Sequence, residues 1–419
     1  MAEGSSMSVL QEFSRVHGLD DSQVEQLLND IAQLRAGHAL EAELTQEALA
    51  AIWWSGLIEP GDGSAGSLIA RFGLIDGIHQ VARWLRSEAT PSLATEHGGD
   101  LRAALRRWRP RFDDGALVQA IRSATSLHAR LLLPSDPMWP SRLNDLGVHA
   151  PPCLWAVGDV SLLDQARTAA IVGSRAATNY GVEVCAEIVQ QLTAQQFVIV
   201  SGGAYGIDRQ AHHSALAAGG RTIAVLAGGI DRLYPAGNEA LLRRIAAEGC
   251  LIAEQAPGIA PSRWRFLARN RIIAALAGVT IVVEAGARSG ALNTAHHAAQ
   301  LGRPLSAVPG SVHSASSVGT NRLIRDGLAQ LVTDARDVLS LLTAEPLLQY
   351  DEREGLRAEL VRLLDALDDR HARTVLHLAR LSGLDESTVR AGLAELALLE
   401  QARCDDAPDP RWRRTPQQS

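Results

Sequence analysis

The sequence predicts an α/β protein: a Rossmann-like, mostly parallel sheet with helices on both faces, preceded by a helical domain and followed by a small winged-helix-like domain. Three observations predict it. Within residues 136–345, short apolar runs alternate with helical patterns at the spacing of strand–helix–strand units. Several of those runs end in glycine-rich loops, as strands do where a sheet presents its carboxyl ends to a ligand. On either side of this region the alternation stops and helical spacing alone remains.

Taken in order, residues 1–45 are polar and acidic and read as a polar extension, at most a frayed helix, with Met7 a second possible start. Residues 46–135 read as all-helical, with breaks at Glu59-Pro60-Gly61-Asp62-Gly63 and near Gly98-Gly99. There, Arg102–Arg111 interleaves five arginines with Trp108, which suits either a solvated face over a buried tryptophan or a second nucleic-acid contact. Residues 136–165 form a Pro-rich connection. Strands are expected at Ala169–Val172, Phe197–Val200, Thr222–Leu226, Cys250–Ala253, Thr280–Val283 and Pro304–Val308. Their near-continuous apolar character fits burial on both faces. Helices are expected between them at Gly181–Thr193, Ile207–Ala218, Glu239–Ala247, Asn270–Leu276 and Ala291–Leu301. Residues 351–419 read as helix, glycine turn at Gly383 and second helix capped by Asp385, a winged-helix-like module.

Composition narrows the function. At 419 residues, two or three domains are expected, and 46% hydrophobic content is enough for substantial cores. The net charge of −7 confines any anion site to a local patch. Four dispersed cysteines without a C-x-x-C pair argue against a zinc ribbon or disulfide scaffold and suit a reducing cytosol, so a cytoplasmic protein is expected. No apolar run is long enough for a membrane span, and no signal-peptide core is visible. Every basic residue counted among the 40 Lys+Arg is arginine, which excludes a Walker A lysine and Schiff-base chemistry. Phosphate contacts must come from arginine or backbone.

The expected strand ends carry the candidate chemistry. Ser201-Gly202-Gly203-Ala204-Tyr205-Gly206 joins a strand to a helix beginning at Ile207, an arrangement that offers backbone N–H groups to a phosphate. Gly173-Ser174-Arg175 supplies close approach, a hydroxyl and a guanidinium fork. Glu284–Gly290 opens a helix with Asn293 and Thr294 in its first turn. The run Pro261–Arg271 places Arg263, Arg265, Arg269 and Arg271 around Trp264 and Phe266 with no acid between them. Residues 151–345 hold 16 arginines against 14 acidic residues, a net of +2. A basic groove with aromatic faces is how single strands are held; the alternative is that Trp264 or Phe266 is core and the arginines are surface. The adjacent pairs His212-His213 and His296-His297 point apart on their helices and do not share a metal. Asp208 and Glu284 are expected to cap a helix or orient Arg175 and Arg271. No nucleophile–base–orienter set stands out, and neither cofactor nor metal is called for.

These segments resemble the DNA-processing protein A (DprA/Smf) family. The resemblance rests on Ile171–Arg175, Ser201–Asp208 with Ala211-His212, Tyr234-Pro235, Phe266 with Arg269–Ala274, Val283–Ala285, Ser289-Gly290, Thr294-Ala295 and Val308–Gly310, and it covers residues 136–338. Three departures are Ala236, where the family often has a basic residue, so that one phosphate contact is either missing or moved to Arg232 or Arg263; Leu267, where proline is common; and Ala253 ahead of Glu254, where serine is common. The resemblance implies a single-stranded-DNA pocket at the strand ends, a homodimer formed through this domain, and loading of the RecA recombinase in natural transformation. The implied DNA-binding residues begin with Gly173, Ser174, Arg175, Ser201, Gly202, Gly203 and Gly206. Arg263, Phe266, Arg269, Asn270, Arg271, Ser289, Gly290, Asn293 and Thr294 complete the set.

Two other classes compete. One is a Rossmann-like nucleotide or nucleoside-phosphate hydrolase, but the loop such enzymes use reads here Pro309-Gly310-Ser311-Val312 and lacks their acid. The other is a duplex-reading repressor. Residues 351–419 carry 11 arginines against 14 acidic residues, a poor footprint for duplex DNA and a better one for a protein contact.

Overall fold

A strand that is apolar at every position must be covered on both faces, and the central strands are. In the computed structural model, which describes residues 21–35, 42–86, 101–343, 358–405 and 410–415, the chain divides into two compact units, Met1–Ala344 and Glu345–Ser419. The first unit contains a nine-stranded sheet. Its strands are β1 (Arg130–Leu132), β2 (Leu154–Gly158), β3 (Thr168–Val172), β4 (Val198–Ser201), β5 (Thr222–Val225), β6 (Cys250–Ala253), β7 (Val279–Val282), β8 (Leu305–Ala307) and β9 (Gln330–Leu331). They lie in the order β1-β2-β6-β5-β4-β3-β7-β8-β9. From β6 through β9 every neighbouring pair is parallel, whereas β1 with β2 and β2 with β6 are antiparallel. In register, Ala170 of β3 sits opposite Val200 on one side and Thr280 on the other.

Alternation along β3 explains the two layers. Ala169 and Ile171 join a core with Cys185, Ile188 and Leu192 of the helix Asn179–Ala194 and Ile207 and Ala211 of the helix Ile207–Ala217. Ala170 and Val172 join the opposite core with Ile272 and Ile273 of the helix Arg263–Leu276 and Ala295 of the helix Ala291–Gln300. Full burial of each larger aliphatic side chain contributes about 1.5–3 kcal/mol. The expected strands correspond to β3–β8. The three others escaped the pattern: β1 falls in a stretch expected to be helical, β2 in the Pro-rich connection, and β9 is two residues long.

Ahead of the sheet come helices Asp21–Leu34, Ala42–Leu57, Gly63–Arg86, Leu101–Trp108 and Asp114–Ser126. Residues 21–34 are not a frayed extension. Leu27, Ile31 and Leu34 are buried in one core with Ile52, Ile121 and Trp155, and Arg35 forms an ion pair with Asp136. Residues 1–20 and 36–41, the rest of that stretch up to the next helix, lie outside the described residues. Trp108 is buried and donates from Nε1 to Asp62 at 3.0 Å, while Arg102, Arg106 and Arg109 are exposed, so the arginine-rich helix has a solvated face over a core tryptophan.

The second unit is a winged helix. Helices Ala358–Ala366, Val375–Ser382 and Glu386–Leu398 pack around Leu363, Leu378, Val389 and Leu393. A three-stranded antiparallel sheet follows the order β10 (Arg373–Thr374), β12 (Arg411–Arg414), β11 (Ala402–Asp405). Gly383 takes the left-handed conformation at φ 68° that ends one helix, and Asp385 caps the next by accepting from Ser387 N and Thr388 N.

Candidate nucleic-acid interface

The chain leaves β3 toward β4, β5 and β6 on one side and returns to β7 and β8 on the other, so strand order reverses between β3 and β7. A crevice opens at the carboxyl ends of strands wherever this reversal occurs. The loops after those two strands, Gly173–Ala176 and Gly286–Gly290, face each other across a cavity of about 590 Å³. The helix Arg263–Leu276 forms its third wall through Arg263, Phe266, Leu267, Arg269, Asn270 and Ile273. Asn293 and Thr294, on the helix after β7, close it, and Val172 and Asp208 lie at its base.

The glycine loop has a different job from the one its composition suggests. The backbone N–H groups of Gly202, Ala204 and Gly173 point at the Asp208 carboxylate, with Gly202 N at 3.2 Å from Oδ2. The anion in this nest is therefore the protein's own side chain. Ser201 is buried and donates from Oγ to the Ile171 carbonyl at 2.6 Å. A Cβ on Gly202 would stand 2.3 Å from Arg269 Nη2, and one on Gly206, at φ +76°, 2.1 Å from the Ser174 carbonyl. Ser201, Gly202, Gly203 and Gly206 thus lie behind the cavity and set the position of Arg269 and of the Ser174-Arg175 loop.

The four arginines of Pro261–Arg271 separate by partner. Arg269 is buried and donates from Nη1 to the Gly202 carbonyl at 2.8 Å, with Asp208 close enough to act on its charge. Burial pulls the Arg269 guanidinium down to about 10 and pushes the Asp208 carboxyl above its ordinary value, with Arg269 and the three loop amides opposing the latter. Arg271 is buried against Glu254 at 2.6 Å and donates from Nε to the His149 carbonyl at 2.9 Å; it does not line the crevice. Arg265 pairs with Glu59 of the helical region at 2.8 Å. Arg263 remains exposed and lines the crevice, with no carboxylate partner among the described residues. Arg232, the other cation that could stand in for the residue lost at Ala236, pairs with Asp231 at 3.1 Å. The orienting roles expected of the two acids also differ: Asp208 serves Arg269, and Glu284 accepts from Thr178 N at 2.9 Å and from the Thr178 and Ser316 hydroxyls.

Arg175 and Arg288 supply the remaining exposed charge of the cavity. Arg175 lies over the Phe266 ring, 4.8 Å from its centroid, and Tyr234 flanks that ring at 5.5 Å. Asn270 donates from Nδ2 to the Gly290 carbonyl at 3.2 Å and to Asn293 Oδ1 at 3.3 Å, locking the second loop to the helix. Ser289 Oγ accepts from Ala291 N at 3.3 Å, and Thr294 is buried. Sequence reasoning did not single out Arg288 as a site residue, although it stands between glycines in a strand-end loop, the same signal that marked Arg175.

Three exposed guanidinium groups beside an aromatic wall, with no carboxylate partner among the described residues and at the switch point of a doubly wound sheet, suit a phosphate-bearing ligand rather than an apolar one. The model of the DNA recombination-mediator protein A family matches residues 130–343. A putative DNA processing protein DprA of Mycobacterium tuberculosis is 45% identical over 301 residues, spanning 68% of this chain and 76% of that protein. The DNA processing protein DprA of Bacillus subtilis is 38% identical over 216 residues, spanning 52% of this chain and 71% of that protein. The X-ray structure of DNA processing protein A from Streptococcus pneumoniae superposes with a TM-score of 0.55 at 32% identity, covering 70% of this chain and 97% of that one. The chain belongs to the DNA recombination-mediator protein A family. No described helix is long and apolar enough to cross a membrane.

Proposed function

We propose that the chain binds single-stranded DNA in the crevice between the β3 and β7 loops and loads the RecA recombinase onto it, in homologous recombination and DNA uptake. The carrying observation is the set of exposed arginines Arg175, Arg263 and Arg288, which have no carboxylate partner among the described residues and surround Phe266. Guanidinium groups track phosphates, and a ring in the same groove accepts a base whatever its identity. Duplex DNA, with its bases stacked inside, cannot use such a floor. Membership of a recombination-mediator family supports the transfer to a recombinase. The protein acts as a cytoplasmic homodimer formed through the sheet domain; the outermost strand β9 and the exposed Leu328 and Leu331 support that surface.

In this reading Arg175, Arg263 and Arg288 contact phosphates, Phe266 contacts a base, and Arg269, Asn270 and the glycine loop hold them in place. In the same reading the crevice is no hydrolase site: among the described residues Asp208 is the one carboxylate lining it, and it is held by three backbone N–H groups and faces Arg269. The test is fluorescence anisotropy of labelled oligo-dT and of a duplex of equal length across a salt series. Single strands should bind far better, with log affinity falling linearly with log salt by about 0.7 per phosphate contacted. Equal affinity for duplex would sink the reading, and release of free base from a nucleoside monophosphate would replace it with a hydrolase.

A further inference from the structure

The helix Arg263–Leu276 has a second concave side. Residues spaced as Arg263, Phe266, Asn270 and Ile273 face the crevice, whereas Trp264, Ala268 and Arg271, at i, i+4 and i+7, face away from it. That opposite side lines a cavity of about 460 Å³, closed by Pro60 and Gly61 from the helical region and by His149 and His297. Trp264 stands at its edge with 61% of its surface exposed, although Trp54, Trp108 and Trp155 are completely buried. A large aromatic left in solvent at the rim of a mostly apolar cavity is an open contact surface.

We propose that this cavity is a second base-binding subsite, in which a neighbouring nucleobase of the same single strand stacks on Trp264. The inference rests on the single-strand reading of the crevice and extends it. Continuity is the first argument: Leu267 and Asn293 line both cavities, so a strand crossing that ridge passes directly from one to the other. Charge is the second. The guanidinium of this cavity, Arg271, is engaged by Glu254, and Asp145 at the rim is engaged by Arg303, which leaves a site suited to a neutral ring rather than a phosphate. Chemistry is the third. Asn293, His297 and Gln300 place hydrogen-bonding groups around an apolar wall, which matches a base with a flat face and a polar edge. Burial and the nearby Arg271 charge lower the His297 imidazole pKa, favouring its neutral form beside such an edge.

The experiment uses the full chain and oligo-dT carrying 2-aminopurine at successive positions, with Trp264→Ala, Trp264→Phe and Arg175→Ala beside wild type. Stacking of one base contributes ~1–3 kcal/mol, so Trp264→Ala should bind about 10-fold more weakly. One 2-aminopurine position should lose its quenching in Trp264→Ala and keep it in Trp264→Phe. An abasic site at that position should weaken wild type by the same factor and leave Trp264→Ala unaffected. Because Trp264 is exposed, the melting temperature of Trp264→Ala should match wild type. The subsite is disproved if Trp264→Ala binds like wild type while Arg175→Ala still loses affinity, a result that leaves the crevice reading intact. It is also disproved if Trp264→Ala alters only the oligomeric state, which would make this face a contact between copies of the chain. Failure of wild type to bind any single strand removes both readings.

Discussion

The crevice and the winged-helix unit are both rich in arginine, yet they place it differently. In the winged helix three arginines meet acids, Arg390 with Glu386 at 3.3 Å, Arg373 with Asp368 at 3.0 Å and Arg413 with Asp405 at 3.2 Å, whereas Arg370, Arg380, Arg403 and Arg411 are exposed with no carboxylate partner among the described residues. Arg390 lies on the second helix of the turn, where a duplex reader would need spare charge, and its partner is one helical turn away. At the crevice Arg175, Arg263 and Arg288 are exposed and free of carboxylates among the described residues, and Arg175 is held in place by an aromatic face instead. Exposed ion pairs contribute only ~0–1 kcal/mol of stability, but they cancel the field a polyanion would feel. Spare charge in a fixed direction, more than the number of arginines, distinguishes an anion site from a solvated surface.

The same contrast runs through one helix, and the largest effect expected lies there. Glu254→Ala leaves Arg271 buried without its partner, which should cost about 3–5 kcal/mol in urea unfolding. A loss below about 1 kcal/mol would place Arg271 with the spare arginines and break the division between structural and ligand-facing charge.

Acid should separate the two units next. His212 is completely buried, and because Thr222 Oγ1 already donates to the Ile199 carbonyl, it accepts from His212 Nδ1 at 2.7 Å. Nε2 has no partner among the described residues, and burial pulls the imidazole down to about 3. The folded pKa is depressed, so this contribution to stability is complete above the unfolded value of about 6.5 and is lost as pH falls from there toward 3, by up to ~1.4 kcal/mol per pH unit. His212→Gln should flatten that slope. In the winged helix, the hydrogen bonds from Ser387 and Thr388 hold the Asp385 carboxyl below its ordinary value, so its contribution fades only below about pH 4. Domain-resolved unfolding between pH 7 and 4 should show the sheet unit weakening first; a simultaneous loss would contradict this assignment.

The smallest effects compare the two kinds of exposed arginine directly. Arg175→Ala should weaken oligo-dT binding about 10-fold and reduce the salt slope by about 0.7, with stability within ~0.5 kcal/mol of wild type. Arg390→Ala should change neither single-strand nor duplex affinity by more than about twofold. A large loss from Arg390→Ala would give the winged helix the DNA contact denied to it here.

Much of the fold was legible because it is written locally. The runs that became β3–β8 are near-continuously apolar, and the glycine-bearing loops after β3 and β7 mark strand ends without reference to the rest of the chain. β1 and β2 were not legible: they lie beside Pro-rich segments and become strands by long-range antiparallel pairing, β2 against β6 and β1 against β2. Leu27, Ile31 and Leu34 looked like part of a polar tail because the surface that buries them belongs partly to the sheet.

The amino-acid sequence by itself determined the doubly wound architecture, the winged helix, the exclusion of lysine chemistry and the place where strand ends gather glycine and arginine. Only the tertiary structure decided which charges remain for a ligand. Within Arg263–Arg271 the four arginines have indistinguishable local surroundings, but Arg265 meets Glu59 from the helical region, Arg269 meets the Gly202 carbonyl of the loop ahead of Asp208, and Arg271 meets Glu254 at the end of β6. Each of those partners arrives through folding across distant segments. Because a buried guanidinium must be paired while an exposed one need not be, that long-range pairing separates the arginines that build the crevice from those that face into it.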